Sequence, residues 1–446
     1  MTGELRLQRL DLRAPDAATS AARDALFRRG AVPDAEVRSA ARAILADVRA
    51  RGAAAVRDAS ARFGGGRPDG RLVIRRDELT AAADALPAAE RDALELAIAN
   101  VRRFAEPQRP LSTRTTIIPG VELERRWLPL ARVGAYVPGG SAPYPSSLVM
   151  TVVPARVAGV GHVVVASPAD GRGEVDPVLL GAAGLLGVDA VLVAGGVQAI
   201  GALAYGLPDE GLEPVDLIVG PGSAWVTAAK IEVVGEVGID LPAGPSEGLV
   251  LADGTADVAT VAADLITQAE HGVDSPALLV TPDEALADAV EAEVRRRLAG
   301  ALRRDILARA LADHGRIVLV ADVAAGIEFV NGYGPEHLSV EVEDLEGAVA
   351  AIRNAGSIFV GRWSPESAGD YASGANHVLP TGGLARSCGP LAVEAFGKFN
   401  QVQRITREGL AALRPTIRTL AEAEGLLAHR DAVEVRFEHD AKEEAR

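Results

Sequence analysis

Apolar residues along this chain follow helical and strand rhythms in turn. Across residues 33–63 they return at helical intervals, with Val37, Ala41, Ile44, Leu45 and Val48 on one face. Gly64-Gly65-Gly66 ends that run. No strand precedes it and no Lys-Ser/Thr follows, so it reads as a flexible turn rather than a phosphate cradle. Residues 1–32 read as a polar lead-in, Leu72-Val73-Ile74 as a short strand and 81–104 as further helix. From about Ile117 the rhythm changes. Short apolar runs at 133–137, 162–166, 190–193 and 217–219 alternate with helical stretches at 177–186 and 199–203. Three of the runs end in glycine, at Pro138-Gly139-Gly140-Ser141, Gly195-Gly196 and Gly220-Pro221-Gly222-Ser223. Alternating strand and helix predicts parallel βαβ units. Glycines at strand carboxyl ends suit either a ligand edge or plain strand-to-helix turns.

A second run of the same kind follows. Strands are predicted at 249–251, 278–280, 317–320, 338–342 and 357–360, and charged helices at 282–298 and 344–354. One helix carries Val258, Val261, Ala262, Leu265 and Ile266 at helical spacing and closes with Gln268-Ala269-Glu270-His271-Gly272. Residues 363–380 hold little regular pattern, and a loop of that length in a compact domain is usually functional. A helical tail spans 410–427, and the charged residues from Glu438 onward are expected to fray. The predicted fold class is α/β: two Rossmann-like parallel-sheet domains without the usual GxGxxG fingerprint, plus a helical C-terminal arm.

Composition narrows the function classes. Hydrophobic residues make up 48% of the 446, enough for a sizeable core. Lysine and arginine total 46 against 61 acids, a net charge of −15, which argues against a nucleic-acid or anionic-membrane surface. Cys388 is the only cysteine, which excludes disulfides within the chain and cysteine-based zinc cages. No unbroken apolar run approaches about 20 residues, and the leading residues lack a signal-peptide core. The expectation is a cytoplasmic protein.

Candidate chemistry gathers at a few places. Gln268 and His271 stand three apart, hence on one helix face. A polar pair ending a buried helix is costly unless a metal ion, a polar substrate or backbone groups satisfy it. Glu336-His337, behind Gly334-Pro335, offers two titratable groups that can divide acid and base duties or form a salt-bridged turn. Asp370, in the polar loop, suits a metal ligand or a helix cap. Ser246 lies in the rigid Leu241-Pro242-Ala243-Gly244-Pro245-Ser246-Glu247 loop and can face a ligand or cap a turn. His271, His337, His377 and His429 have polar contexts, whereas His162, His314 and His439 read as surface residues. No H-E-x-x-H motif exists, so a metal site must be assembled from distant segments.

Several of these stretches closely resemble the histidinol dehydrogenase family. They are Tyr136-Val137-Pro138-Gly139-Gly140, Pro242-Ala243-Gly244-Pro245-Ser246-Glu247, Gln268-Ala269-Glu270-His271-Gly272, Gly334-Pro335-Glu336-His337-Leu338, the run from Ser364 to Gly374, and Glu424 to His429. They occur in family order from about residue 33 to 436. The resemblance implies a zinc-dependent enzyme, with one Zn2+ per subunit, that oxidises L-histidinol through L-histidinal to L-histidine with two NAD, in the last steps of histidine biosynthesis. It implies metal ligands at Gln268, His271 and Asp370, completed by His429 of a second subunit, and hence a homodimer. It further implies base roles for Glu336 and His337. Substrate contacts are implied at Ser246, Gln268, His271, His337, Asp370, Glu424 and His429, and NAD contacts at Tyr136, Gln198 and Ser223. The implied domains are an N-terminal segment (1–32), a metal-bearing catalytic domain (33–120 with 246–385), an NAD-binding domain (121–245) and a helical arm (386–446) that completes the partner's site.

Two departures stand out. Ser223 occupies a position where the family usually has Asn, so one cofactor contact changes. The stretch 388–406 also differs from the usual pattern. The readings set against histidinol oxidation are a related dehydrogenase for another small hydroxyl compound, a non-catalytic nucleotide-sensing or scaffold protein, and a metal hydrolase.

Overall fold

The structure, a computed structural model, describes residues 5–139 and 143–443, with side chains described to residue 438. Gly140 and Ser141 of the turn predicted after residue 137 lie outside it, as do the first four and last three residues. The chain forms two compact units, Met1–Gln108 with Leu130–Phe396, and Arg109–Pro129 with Gly397–Arg446.

The first unit holds two six-stranded sheets. One is parallel throughout, in the order Gln8–Asp11, Gly315–Leu319, Ala277–Thr281, Gly248–Ala252, His337–Glu341, Ser357–Val360. Its inner strands Gly248–Ala252, Ala277–Thr281 and His337–Glu341 are buried on both faces, as expected of a parallel sheet covered by helices. The chain winds outward from Gly248–Ala252 in one direction, then crosses to His337–Glu341 and winds in the other, so strand order reverses between these neighbours. The other sheet runs Val73–Arg75, Ala190–Val193, His162–Ser167, Arg132–Tyr136, Leu217–Val219, Gly238–Ile239, with only the first strand antiparallel. Its order reverses between Arg132–Tyr136 and Leu217–Val219.

One helix shows how sequence sets up the site. Asp257 caps Val258–Glu270 by accepting the Thr260 amide, a cap whose loss costs about 1 kcal/mol. Val261, Ala262, Leu265 and Ala269 bury the inner face against the sheet. Fully burying a leucine such as Leu265 stabilises by roughly 1.5–3 kcal/mol. The helix returns the chain from the end of one parallel strand to the start of the next, so its last turn reaches the edge where strands begin. There Gln268 fills the space left by Gly248, where an added Cβ would lie 2.5 Å from Gln268 Oε1.

The structure redraws several predicted boundaries. The helix predicted over 33–63 is two helices, Ala35–Arg51 and Ala53–Phe63, broken at Gly52 with φ +54°. Ala41, Leu45 and Val48 join the core of the second sheet with Ile200 and Val226, and Val73–Arg75 forms that sheet's edge. Residues 33–105 therefore belong with the domain assigned to 121–245, not with the metal-bearing domain. A helical face shows that a helix is buried but not which sheet buries it. Residues 1–32 are more than a lead-in: Gln8–Asp11 is an edge strand of the first sheet and Ala17–Phe27 a helix beside it.

The second unit is a three-stranded antiparallel sheet, Gly397–Ile405, Val121–Pro129 and Thr113–Ile118, followed by helices Arg407–Ala423 and Leu427–Glu443. The arm predicted as helical thus begins with a strand. That strand is largely exposed and polar, so its sequence lacks apolar alternation. It is held instead by Phe399, stacked under the Arg125 guanidinium and edge-on to Trp127. Among the described residues no helix is long and apolar enough to cross a membrane.

Candidate active site

Three segments meet at the edge where the first sheet's strands begin. His337 opens its strand, Glu336 precedes it, Gln268 and His271 end their helix, and Glu366 and Asp370 lie on the short helix Glu366–Tyr371. That helix sits within the segment predicted to lack regular pattern. Gln268 Oε1 lies 3.1 Å from His337 Nδ1. The Glu366 carboxylate lies 2.9 Å from His271 Nε2 and 3.6 Å from His337 Nδ1. The two imidazoles stack with centroids 5.8 Å apart. His271, His337 and Glu366 each offer a ligand atom within 4.8 Å of the others. The His271 side chain is 34% exposed against 5% for His337, so His271 is the member that opens outward. His337 Nε2 and Gln268 Nε2 are buried without a hydrogen-bond partner, a costly state that a bound polar group would relieve.

Around this array lies a cavity of about 780 Å³, lined by Ser246, His271, Glu336, His337, Asp370 and His377 among others. His377 is fixed from both sides, with Nδ1 3.0 Å from the Asp370 carbonyl oxygen and Nε2 3.2 Å from Ser147 Oγ. Glu336 Oε2 accepts the Glu247 amide at 2.9 Å. Beneath it, Arg29 donates to Glu247 and to the Tyr333 carbonyl, and its guanidinium lies 3.3 Å over the Tyr333 ring. The polar lead-in thus supplies the cation behind this carboxylate pair.

Burial and neighbouring charge sort the proton affinities. Burial raises Glu336 well above the usual carboxylate range, and the charges of Glu247 and Glu366 add to it against the Glu247 amide and Ser246. Burial lowers the proton affinity of His337, against the charge of Glu366. For His271, burial is outweighed by the hydrogen bond and charge of Glu366 with the charges of Asp370 and Glu270, and the net shift is upward. Burial and the charge of Glu366 push Asp370 up to about 6, and burial takes His377 down to about 4. The nitrogen and oxygen donors of His271, Gln268, Asp370 and Glu366 suit a zinc-class ion.

At the carboxyl edge of the second sheet, where its strand order reverses, lies another cavity of about 770 Å³. Tyr136, Gly195, Gly196, Gln198, Ser223 and Trp225 line it, with Gly64 and Gly65. The Tyr136 hydroxyl accepts the Gly196 amide at 3.1 Å. Gln198 sits in the first turn of Gly196–Tyr205 and Ser223 just before Ala224–Glu232, where its hydroxyl makes no cap bond. The triple glycine read as a flexible turn is packed: an added Cβ on Gly65 would lie 2.8 Å from Pro168 Cβ. Ser223 lines both cavities.

The structure thus gathers Ser246, Gln268, His271, Glu336, His337 and Asp370 at one edge, and Tyr136, Gln198 and Ser223 at the other. Glu424 and His429 lie in the second unit, exposed on either side of Gly425, whose φ of +71° ends one helix before the next begins. Sequence reasoning gave no role to Glu366, Arg29 or Glu247. Glu366 stood inside a quoted motif, but a lone acid in a loop carries no sign of its partners.

Comparison with known proteins agrees with this geometry. A family model described as histidinol dehydrogenase matches residues 27–437. A histidinol dehydrogenase of Leifsonia xyli subsp. xyli is 48% identical over 438 residues, covering 98% of this chain and all of that one. One from Halobacterium salinarum is 48% identical over 419 residues, 94% of this chain and 97% of its own. The crystal structure of histidinol dehydrogenase from Elizabethkingia anophelis superposes with a TM-score of 0.90 at 35% identity, covering 98% of this chain and 99% of that one. With a match across nearly the whole length in sequence and in fold, the chain belongs to the histidinol dehydrogenase family of NAD-dependent dehydrogenases.

Proposed function

We propose that the protein oxidises L-histidinol to L-histidine in two successive hydride transfers at one site, at the end of histidine biosynthesis in the cytoplasm. The observation that carries this reading is the orphaned, buried Nε2 of His337 in a cavity that shares Ser223 with the Tyr136–Gln198 cavity. That arrangement sets a proton acceptor beside a glycine-lined edge suited to a dinucleotide. NAD is assigned to the second cavity, against Tyr136, Gln198 and Ser223. Substrate is assigned to the first.

In the first step His337 takes the alcohol proton as hydride leaves the carbinol carbon for NAD, giving the aldehyde and NADH. In the second, Glu336 takes a proton from water as the oxygen attacks the aldehyde carbon. The hydrated aldehyde then passes its hydride to a second NAD, giving the carboxylate. Burial and the charges of Glu247 and Glu366 raise the proton affinity of Glu336, the direction that strengthens a carboxylate as a proton acceptor. Ser246 orients the substrate from the loop beside Glu336.

Gln268, His271 and Asp370 would hold one Zn2+, with His429 from a second copy of the chain. When bound, the ion supplies a Lewis acid that fixes the nitrogens of the substrate. Glu424 of the same copy would accept a hydrogen bond from the substrate imidazole. This reading makes the working unit a homodimer. Its support within the chain is that Leu420, Leu426, Leu427 and Val435 are exposed on the helix pair carrying Glu424 and His429.

The test follows NADH absorbance with L-histidinol and NAD. Two NADH per histidinol are expected, and chelation should abolish the signal with Zn2+ restoring it. One NADH per substrate, or activity indifferent to chelation, would overturn the reading. Turnover of another small amino alcohol in preference to histidinol would move it to a related dehydrogenase.

A further inference from the structure

Behind the wall between the two cavities lies a buried ion pair to which no role has yet been given. Lys230, on Ala224–Glu232, and Asp240, just after Gly238–Ile239, bond directly, with side chains 2% and 1% exposed. Isolated burial of either charge would be prohibitive. What the pair holds explains its cost. Lys230 Nζ donates to the Gly220 carbonyl at 2.9 Å and to the Leu241 carbonyl at 3.3 Å. Asp240 accepts the Gly220 amide at 2.7 Å and the Leu241 amide at 2.7 Å. Both backbone groups of Gly220 and both of Leu241 are therefore tied to one ion pair.

Those two residues begin two loops that line the cavity beside His337, the first of which also reaches the Tyr136–Gln198 cavity through Ser223. Gly220 leads into Pro221, Gly222 and Ser223, and Leu241 leads into Ala243, Gly244, Pro245 and Ser246. The first loop leaves its strand in a bend open only to glycine. Gly220 has φ +108°, and an added Cβ would lie 2.1 Å from the Tyr136 carbonyl oxygen. A loop so bent loses the backbone pairing a strand would give it, and its amide and carbonyl need other partners. Thr227 adds a tie by donating to the Ala243 carbonyl at 2.7 Å.

We propose that Lys230 and Asp240 are positioning residues that lock the Gly220 and Leu241 loops to one another and so preset the cofactor-binding face of Ser223 relative to the substrate-binding face of Ser246. The proposal rests on the assignment of NAD to the Tyr136–Gln198 cavity. Neither residue lines either cavity, so any effect on ligands must pass through the loops.

The test compares Asp240→Asn with the double variant Lys230→Met/Asp240→Leu. The first removes charge and one acceptor at constant shape, and the second removes the pair altogether. Apolar replacement of the whole pair leaves no unpaired buried charge, so the double variant loses the loop ties without the cost of a stranded ion, and ligand binding is read well below its melting temperature. Three readouts are taken: NADH binding by fluorescence, hydrogen exchange of the 219–223 backbone, and thermal melting. Expected are faster exchange at 219–223, an NADH dissociation constant raised about tenfold, as loss of a charge-assisted hydrogen bond predicts, and a lowered melting temperature in both variants, which stay folded at the assay temperature. The KM for NAD should rise more than kcat falls. NADH affinity equal to wild type in both folded variants would overturn the proposal, as would failure of both to fold, which would make the pair a stability element alone. Wild-type protein that does not bind NADH would instead sink the cofactor assignment, and this proposal with it.

Discussion

The two sheets of the first unit meet their cavities at opposite edges. The second sheet uses its carboxyl edge at the point where strand order reverses, the usual place for a ligand in an open α/β sheet. Its wall combines the glycines at 64, 65, 139, 195 and 196 with mostly apolar side chains such as Ile44, Phe63 and Trp225, and carries no carboxylate or imidazole among the described residues. The first sheet uses its amino edge, where Gly248 and His337 begin adjacent strands. There the wall is made of side chains, delivered by a returning helix, a strand start and a short helix in a loop. Backbone amides at strand ends come with the fold. A row of imidazoles and carboxylates does not, and each must be placed by its own segment. The first edge is therefore specific and vulnerable to single substitutions, and the second tolerant.

The largest effects should fall on the first edge. His337→Asn should slow oxidation of the alcohol by about 10²–10⁴-fold and Glu336→Gln should do the same to the aldehyde, as loss of a general base predicts. Single-turnover runs from each substrate decide between separate roles and a shared one. Equal losses on both steps for both variants would show one proton relay instead of two.

Next comes the claim that this edge is incomplete within one chain. Mixed His337→Asn and His429→Ala subunits, each inactive alone, should recover up to about a quarter of wild-type activity, since half the dimers would be hybrids with one intact site. Mixed dimers that stay inactive would show that the site is built within one chain, without His429 of a second copy.

A smaller effect concerns stability. Asp264, one turn before Gln268, is buried, and burial with the charge of Glu366 pushes its pKa up to about 6, against a hydrogen bond from Ser339. A carboxyl raised in the folded state holds its proton there more tightly than in the unfolded chain. Stability should fall as pH rises from about 4 to 6 and stay reduced above that. Asp264→Asn should remove this slope and gain up to about 3 kcal/mol at pH 8, read by denaturant melts at both ends of the range. An unchanged slope would assign the pH dependence to other carboxyls of the first edge.

At the second edge the expected effect is smallest. Ser223→Asn should lower the KM for NAD several-fold at most, the worth of one neutral hydrogen bond of about 0.5–1.5 kcal/mol, with little change in kcat. A rise would show that Trp225, exposed on the same wall, has shaped the cavity to serine.

The same contrast explains what was legible in the sequence. The α/β class, most strands and the glycine ends of the second sheet follow from local apolar rhythm, which the backbone expresses directly. The helix carrying Gln268 and His271 was visible for the same reason, with its cap and its apolar face. Which sheet a helix covers was not, so 33–105 was placed with the wrong partner. The strand Gly397–Ile405 was hidden because exposure removes apolar alternation. Glu366 and Arg29 become meaningful only through partners 95 and 218 residues away, a separation across which spacing carries no signal. The proposed ligand set came from resemblance alone.

Ser223 faces both cavities, and this has a practical consequence for inhibition. Two weak fragments, one for each chamber, need only a short tether across a single residue. Joined, the second binds at the effective concentration set by that tether, in the millimolar range for a short flexible link. The affinity of such a compound would come from both chambers together, so a substitution in the tolerant chamber would forfeit only part of it.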